Sequence, residues 1–258
     1  MAEKPTLVVG ATGQVGRRVV EQLLNANKPV RALVRNHSKA RELFGKYMME
    51  DDEKTKLKIF VCDLGEAAKQ EDYKILNQAV EGCGSIVSVS GCARISKLSD
   101  FLPWRLFQED VSGWADSSHP YFGNYKAQCV LVDLAKTHSV SRFVRLTGLS
   151  AGYSPFHPVG IIFSSVLSMT TRYHFLCEQY IRNSSVPYLI IRPGGLRNED
   201  RVRNFEAKHF NLLSCMHTYV KLTYDALVVR ILLQRICRWM PVDHCHPLVW
   251  YRDRMWLP

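Results

Sequence analysis

Short apolar runs alternate with stretches whose apolar positions recur at helical spacing. Thr6-Leu7-Val8-Val9 is wholly apolar after its first residue, as expected of a strand buried on both faces. Val15, Val19, Val20, Leu23 and Leu24 then mark an amphipathic helix that ends near Asn25–Asn27. Val30–Val34 and Leu57–Cys62 read as the second and third strands. Tyr73–Val80 reads as a helix stopped by Gly82, and Ser85–Ser90 as a fourth strand. Asn124–Thr137 is predicted as a helix, Arg142–Leu146 as a strand, Thr170–Arg182 as a helix and Tyr188–Arg192 as a sixth strand. Repeated β-then-α order predicts an α/β fold: a Rossmann-type, doubly wound parallel sheet with helices on both faces. Arg94–Phe122 breaks the rhythm. It reads as a long loop at the carboxyl edge of the sheet, where this architecture binds ligands. Domain boundaries follow: residues 1–196 form the Rossmann domain, and residues 197–258 a short, divergent C-terminal extension, a candidate substrate lid.

Composition narrows the field. The chain has 258 residues, 47% of them hydrophobic and 22% charged, which excludes a disordered or collagen-like polymer. Its longest apolar run, near Val159–Met169, is too short for a membrane helix, so no membrane span is expected. Net charge is +10. The positive residues are dispersed without a basic block, which disfavours a nucleic-acid surface. The start, Met1-Ala2-Glu3-Lys4-Pro5, has no leader pattern, and a cytoplasmic location is the expectation. Eight cysteines form no CxxC pair and read as reduced, mostly buried thiols. His244-Cys245-His246 lacks a second ligand pair at zinc spacing, so no metal is expected.

The chemistry concentrates at Gly10-x-x-Gly13-x-x-Gly16, between the first strand and the first helix. A dinucleotide pyrophosphate needs a sharp turn, close backbone approach and tight helix–sheet packing there, and each task favours a residue without Cβ. The free N–H groups and positive end of the helix then face the phosphates. After the second strand come Val34-Arg35-Asn36-His37-Ser38-Lys39. An acid here would take the ribose 2′-OH of NAD; Arg35 instead suits the 2′-phosphate of NADP, with Ser38 and Lys39 as added contacts.

VVGATGQVGRRVVEQLL, ALVRN, VCDL, VRLTGLSAG and YLIIRPGGL together resemble an atypical short-chain dehydrogenase/reductase, in particular the NAD(P)H-binding, NmrA-like group. The resemblance covers about Thr6–Leu196. It implies that Gly10, Thr12, Gly13, Gln14, Val15 and Gly16 line the pyrophosphate and that Arg35 meets the 2′-phosphate. It further implies Asp63 and Leu64 at the adenine, Ser90 and Gly91 near the nicotinamide ribose, Thr147 and Gly148 beside the nicotinamide, and Pro193 and Gly194 capping it.

The Tyr-x-x-x-Lys pair usual in such reductases is not intact. Tyr121 has Tyr125 at i+4, with Lys126 one step late; Tyr173 has Cys177, and Tyr180 has Ser184. Tyr173, Ser150 and Tyr153 are the alternative proton donors, with packing or loop roles as the competing reading. Two functions are therefore carried forward. One is an NADP-dependent oxidoreductase acting on a small carbonyl or quinone-like acceptor. The other is a non-catalytic NADP-binding redox sensor or assembly scaffold, with a protein partner at the C-terminal segment.

Overall fold

A computed structural model describes residues 3–48, 56–92, 94–97, 100, 108, 110–148, 151 and 169–193. Six parallel strands form one sheet: β1 (Thr6–Val9), β2 (Val30–Val34), β3 (Leu57–Val61), β4 (Ser85–Ser88), β5 (Arg142–Leu146) and β6 (Tyr188–Ile191). Their order is β3-β2-β1-β4-β5-β6. The chain runs outward from β1 on one side and then returns to start again at β4. That reversal leaves a crevice beyond the carboxyl ends of β1 and β4, the ligand position of this architecture.

Side-chain alternation divides the core between two faces. Val8, Ala32, Val34, Val87 and Val144 pack with Val19, Val20 and Leu23 of α1 (Gln14–Asn25) and with Ala40 and Phe44 of α2 (His37–Phe44). Beyond α2, α3 (Leu64–Gln70) and α4 (Lys74–Val80) follow β3 and its turn. On the opposite face Leu7, Val9, Leu33, Ile86 and Phe143 meet Leu76 and Val80 of α4. There they also meet Leu131 of α5 (Ala127–Thr137) and Cys177 and Ile181 of α6 (Thr170–Asn183).

Two helices, α2 and α3, were not anticipated from periodicity. Each is short and starts on a side-chain cap directly after a strand. Asn36 Oδ1 accepts from Lys39 N at 3.0 Å, and Asp63 Oδ1 accepts from Gly65 N at 2.8 Å. The long loop also ends earlier than expected. A π-helical turn, Tyr121–Lys126, runs directly into α5, so helical structure begins ahead of Asn124. Below it Val111, Ala115, Tyr121, Phe122, Met169 and Tyr173 form a third cluster that seats the described part of the loop. The C-terminal segment 197–258, and with it the predicted lid and partner surface, lies outside the described residues. No helix among the described residues is long and apolar enough to cross a membrane.

Candidate functional site: a dinucleotide cleft at the glycine turn

The turn after β1 opens onto a cleft of about 360 Å³. Gly10 has φ +81°, and a Cβ there would lie 2.8 Å from Ser90 Cα, so the turn and the chain leaving β4 touch backbone to backbone. Only glycine meets both demands. Gly13 heads α1 with no side-chain acceptor to offer, and the first turn of α1 carries no acid. The N–H groups at this positive helix end are thus left for an anion. Thr12 and Gly13 line the cleft beside Gly10. Gln14, Val15 and Gly16 form the first turn of α1 and carry its free N–H groups, with Gly16 buried against the Gly10 carbonyl.

Both helices missed from periodicity bring residues to this wall. Arg35 and Lys39, one on each side of the α2 cap, line the cleft. Arg35 is exposed and makes no ion pair among the described residues. Asp63 and Leu64 line it after β3, with the Asp63 carboxylate spent on capping α3. Ser90 and Gly91 line it after β4.

Sequence reasoning did not find Cys62, Cys92, Ser117 or Ser118, which also face the cleft. The two serines arrive from the loop. Their segment is held by Lys69 Nζ donating to the Ala115 carbonyl at 2.9 Å and by close approach of Ser117 to Gly65, where a Cβ would not fit. Asn124 fixes Cys92 from the π-helical turn, accepting from its N–H and donating to its carbonyl, both at 2.7 Å. These are tertiary contacts, without a pattern in the local sequence. Burial pushes the Cys62 thiol up to about 11 and raises that of Cys92, so neither is a ready thiolate at neutral pH.

Thr147 and Pro193 stand at the ends of β5 and β6, joined by Thr147 N donating to the Ile191 carbonyl at 2.9 Å. They do not line the described cleft. The Thr147 hydroxyl donates to Glu178 Oε1 at 2.7 Å, and that fully buried carboxylate also accepts from Arg192 and Arg182. Its proton is committed to α6.

Of the expected proton donors, only Tyr173 lies among the described residues, and its placement differs from the expectation. Tyr173 is fully buried in the aromatic cluster, edge-on to His119 and Tyr121, and its hydroxyl has no hydrogen-bond partner among the described residues. It does not line the cleft, and burial pushes its pKa up to about 12. The reason is packing: α6 turns this side chain toward the loop cluster. Ser150 and Tyr153 lie outside the described residues. No group of three His, Cys, Asp or Glu side chains is placed to hold a metal among the described residues; His244-Cys245-His246 lies outside them.

Residues 10–211 match a family model described as NAD(P)H-binding. The chain belongs to this NAD(P)H-binding family. The match begins at the first glycine of the turn, and the resemblance read from that motif holds. Protein TIC 62, chloroplastic, of Oryza sativa subsp. japonica is 28% identical over 83% of this chain and 39% of its own length. Sanguinarine reductase of Eschscholzia californica is 29% identical over 75% of this chain and 70% of its own. The chloroplastic relatives are longer proteins, of which the matched stretch spans 28% to 62%. Among solved structures, ChuY, an anaerobilin reductase from Escherichia coli O157:H7, superposes with a TM-score of 0.54 at 22% identity over 90% of both chains. That likeness is one of fold. The residues around the cleft fit the family's ligand: a cradle without Cβ atoms, an uncapped helix end and two free-reaching cations on one wall.

Proposed function

We propose that this chain is an NADP-dependent oxidoreductase acting on a small carbonyl or quinone-like acceptor. The observation that carries the cofactor choice is Arg35 beside Lys39 on the cleft wall, at the end of β2, with no acid at that strand end. The guanidinium matches a 2′-phosphate in two parallel hydrogen bonds, and the ammonium adds a point charge. The bound dinucleotide supplies hydride. The chain's residues hold it, through the N–H groups at the start of α1, the cations after β2 and the backbone turn at Gly10. Kinship with sanguinarine reductase supports turnover.

A second reading, a dinucleotide-responsive sensor or scaffold without turnover, draws on the missing Tyr-x-x-x-Lys pair and the sealed Tyr173 hydroxyl. One experiment separates the two. NADPH and NADH are titrated into wild type and Arg35→Asp, and NADPH consumption is followed against a panel of quinones and aldehydes. The enzyme reading expects consumption, with NADPH affinity reduced at least about tenfold in the variant and NADH affinity little changed. Equal losses for both dinucleotides refute the role of Arg35. Tight binding with no turnover across the panel favours the sensor.

A further inference from the structure

The cleft wall at Ser90 is backed by three fully buried polar residues, Ser88, Gln128 and Arg145. Their hydrogen bonds can be directed without seeing a proton. A guanidinium only donates. Arg145 Nη1 donates to Ser88 Oγ at 2.9 Å and to the Ser90 carbonyl at 2.7 Å. Ser88 Oγ, 2.7 Å from Gln128 Oε1, donates its own proton there. The Gln128 amide cannot be turned around. Its nitrogen faces the Gly123 carbonyl at 3.0 Å, which only accepts. The same nitrogen donates to Ser90 Oγ at 3.2 Å.

The chain therefore runs one way, from Arg145 through Ser88 and Gln128 to Ser90. At its end Ser90 Oγ already accepts, so its proton is left to give. Among the described residues its alternative inside the wall is Ser88 Oγ at 3.4 Å, long for a hydroxyl pair. An acceptor oxygen placed in the cleft at ordinary distance would accept a hydrogen bond from Ser90 Oγ. Ser90 lines the cleft directly against Gly10, the first residue of the phosphate turn. We infer that Gln128 and Arg145 are positioning residues that fix Ser90 as a hydrogen-bond donor to a ribose or diphosphate oxygen of the bound dinucleotide. This rests on the dinucleotide reading above and assigns the direction of one of its contacts.

The polarity is testable by substitution. Gln128→Met keeps the length and removes both N–H donors, freeing the Ser90 hydroxyl to turn. Gln128→Glu replaces the donor by an acceptor and draws the Ser90 proton into the wall. NADPH and NADH are titrated into wild type, Ser90→Ala, Gln128→Met, Gln128→Glu and the two double variants, after melting curves establish that each is folded. The expected result is a loss of several-fold for Gln128→Met and about tenfold for Gln128→Glu, with both losses vanishing once Ser90 is alanine. A purely packing role predicts that the losses multiply instead, and that outcome overturns the relay while leaving dinucleotide binding intact. So does wild-type affinity in Gln128→Met, the variant that carries the test if a buried glutamate does not fold. Failure of wild type to bind either dinucleotide overturns the binding reading and the relay with it.

Discussion

Gly16→Ala measures how closely α1 must approach the turn. Gly16 is the third residue of α1, and a Cβ there would overlap the Gly10 carbonyl oxygen and come within 2.9 Å of both Gly10 C and Ala11 Cα. Ordinary carbon–carbon contacts are about 3.5–4.0 Å, so helix and turn must separate by at least roughly 0.6 Å. The neighbours are not free to yield. Gly10 O accepts from Gly13 N at 3.0 Å, and Gly10 N donates to the Leu33 carbonyl at 3.2 Å, so displacement pulls on both the turn and β2. Overpacking of this kind costs about 1–3 kcal/mol, of which alanine's better helix propensity returns up to about 1 kcal/mol. The net expectation is a loss of about 1–2 kcal/mol, or roughly 2–8 °C in Tm. NADPH affinity falls more than about tenfold, because the helix N-terminus moves away from the phosphates. Gly13→Ala is the control. Its Cβ would meet only Gly10 O, at 3.2 Å, so stability changes by less than about 0.5 kcal/mol. Thermal unfolding with and without NADPH reads both quantities. A Gly16→Ala protein as stable and as tightly binding as wild type refutes the close-packed turn.

Tyr173→Phe removes a buried hydroxyl that has no partner among the described residues, so dinucleotide affinity and any turnover stay at wild-type values while stability holds or rises by up to about 1 kcal/mol. A large loss of turnover with binding intact would return Tyr173 to the chemistry. His119 has its pKa lowered to about 4, first by burial and then by Arg94. The unfolded chain, at about 6.5, therefore takes up a proton before the folded one does. Its contribution is complete above that value and is lost as pH falls toward 4, at up to about 1.4 kcal/mol per pH unit. Urea unfolding at pH 7 and pH 5 is expected to show a shallower acid slope in His119→Phe, which keeps a ring against Trp114 and Tyr173. Equal slopes in both proteins would place the acid sensitivity elsewhere.

The sheet was legible because its strands are short apolar runs between glycine or polar stops, and because β-then-α alternation permits few topologies. The phosphate turn was legible because its glycines carry it, although spacing could not show that Gly16 acts through packing and Gly10 through its φ. What was missed lacked periodicity. In α2 the apolar positions are Ala40, Leu43 and Phe44, too few to announce a helix against two cations and a histidine. The caps Asn36 and Asp63 were the available clues, the latter followed three residues later by Glu66. Ser117, Ser118 and Cys92 reach the cleft through Gly65, Lys69 and Asn124, all distant in sequence. The burial of Tyr173 follows from rings that only the folded chain brings together.

In the proposed function the Gly10 turn and the α1 N-terminus hold a dinucleotide diphosphate, with Arg35 selecting the phosphorylated form. Calorimetric titration of the wild-type chain with NADPH and then NADH tests it most directly. The expected result is saturable one-to-one binding, tighter for NADPH, that Gly16→Ala weakens and Arg35→Asp shifts toward NADH. Folded protein that releases no heat with either nucleotide, and whose melting temperature neither one raises, would contradict it.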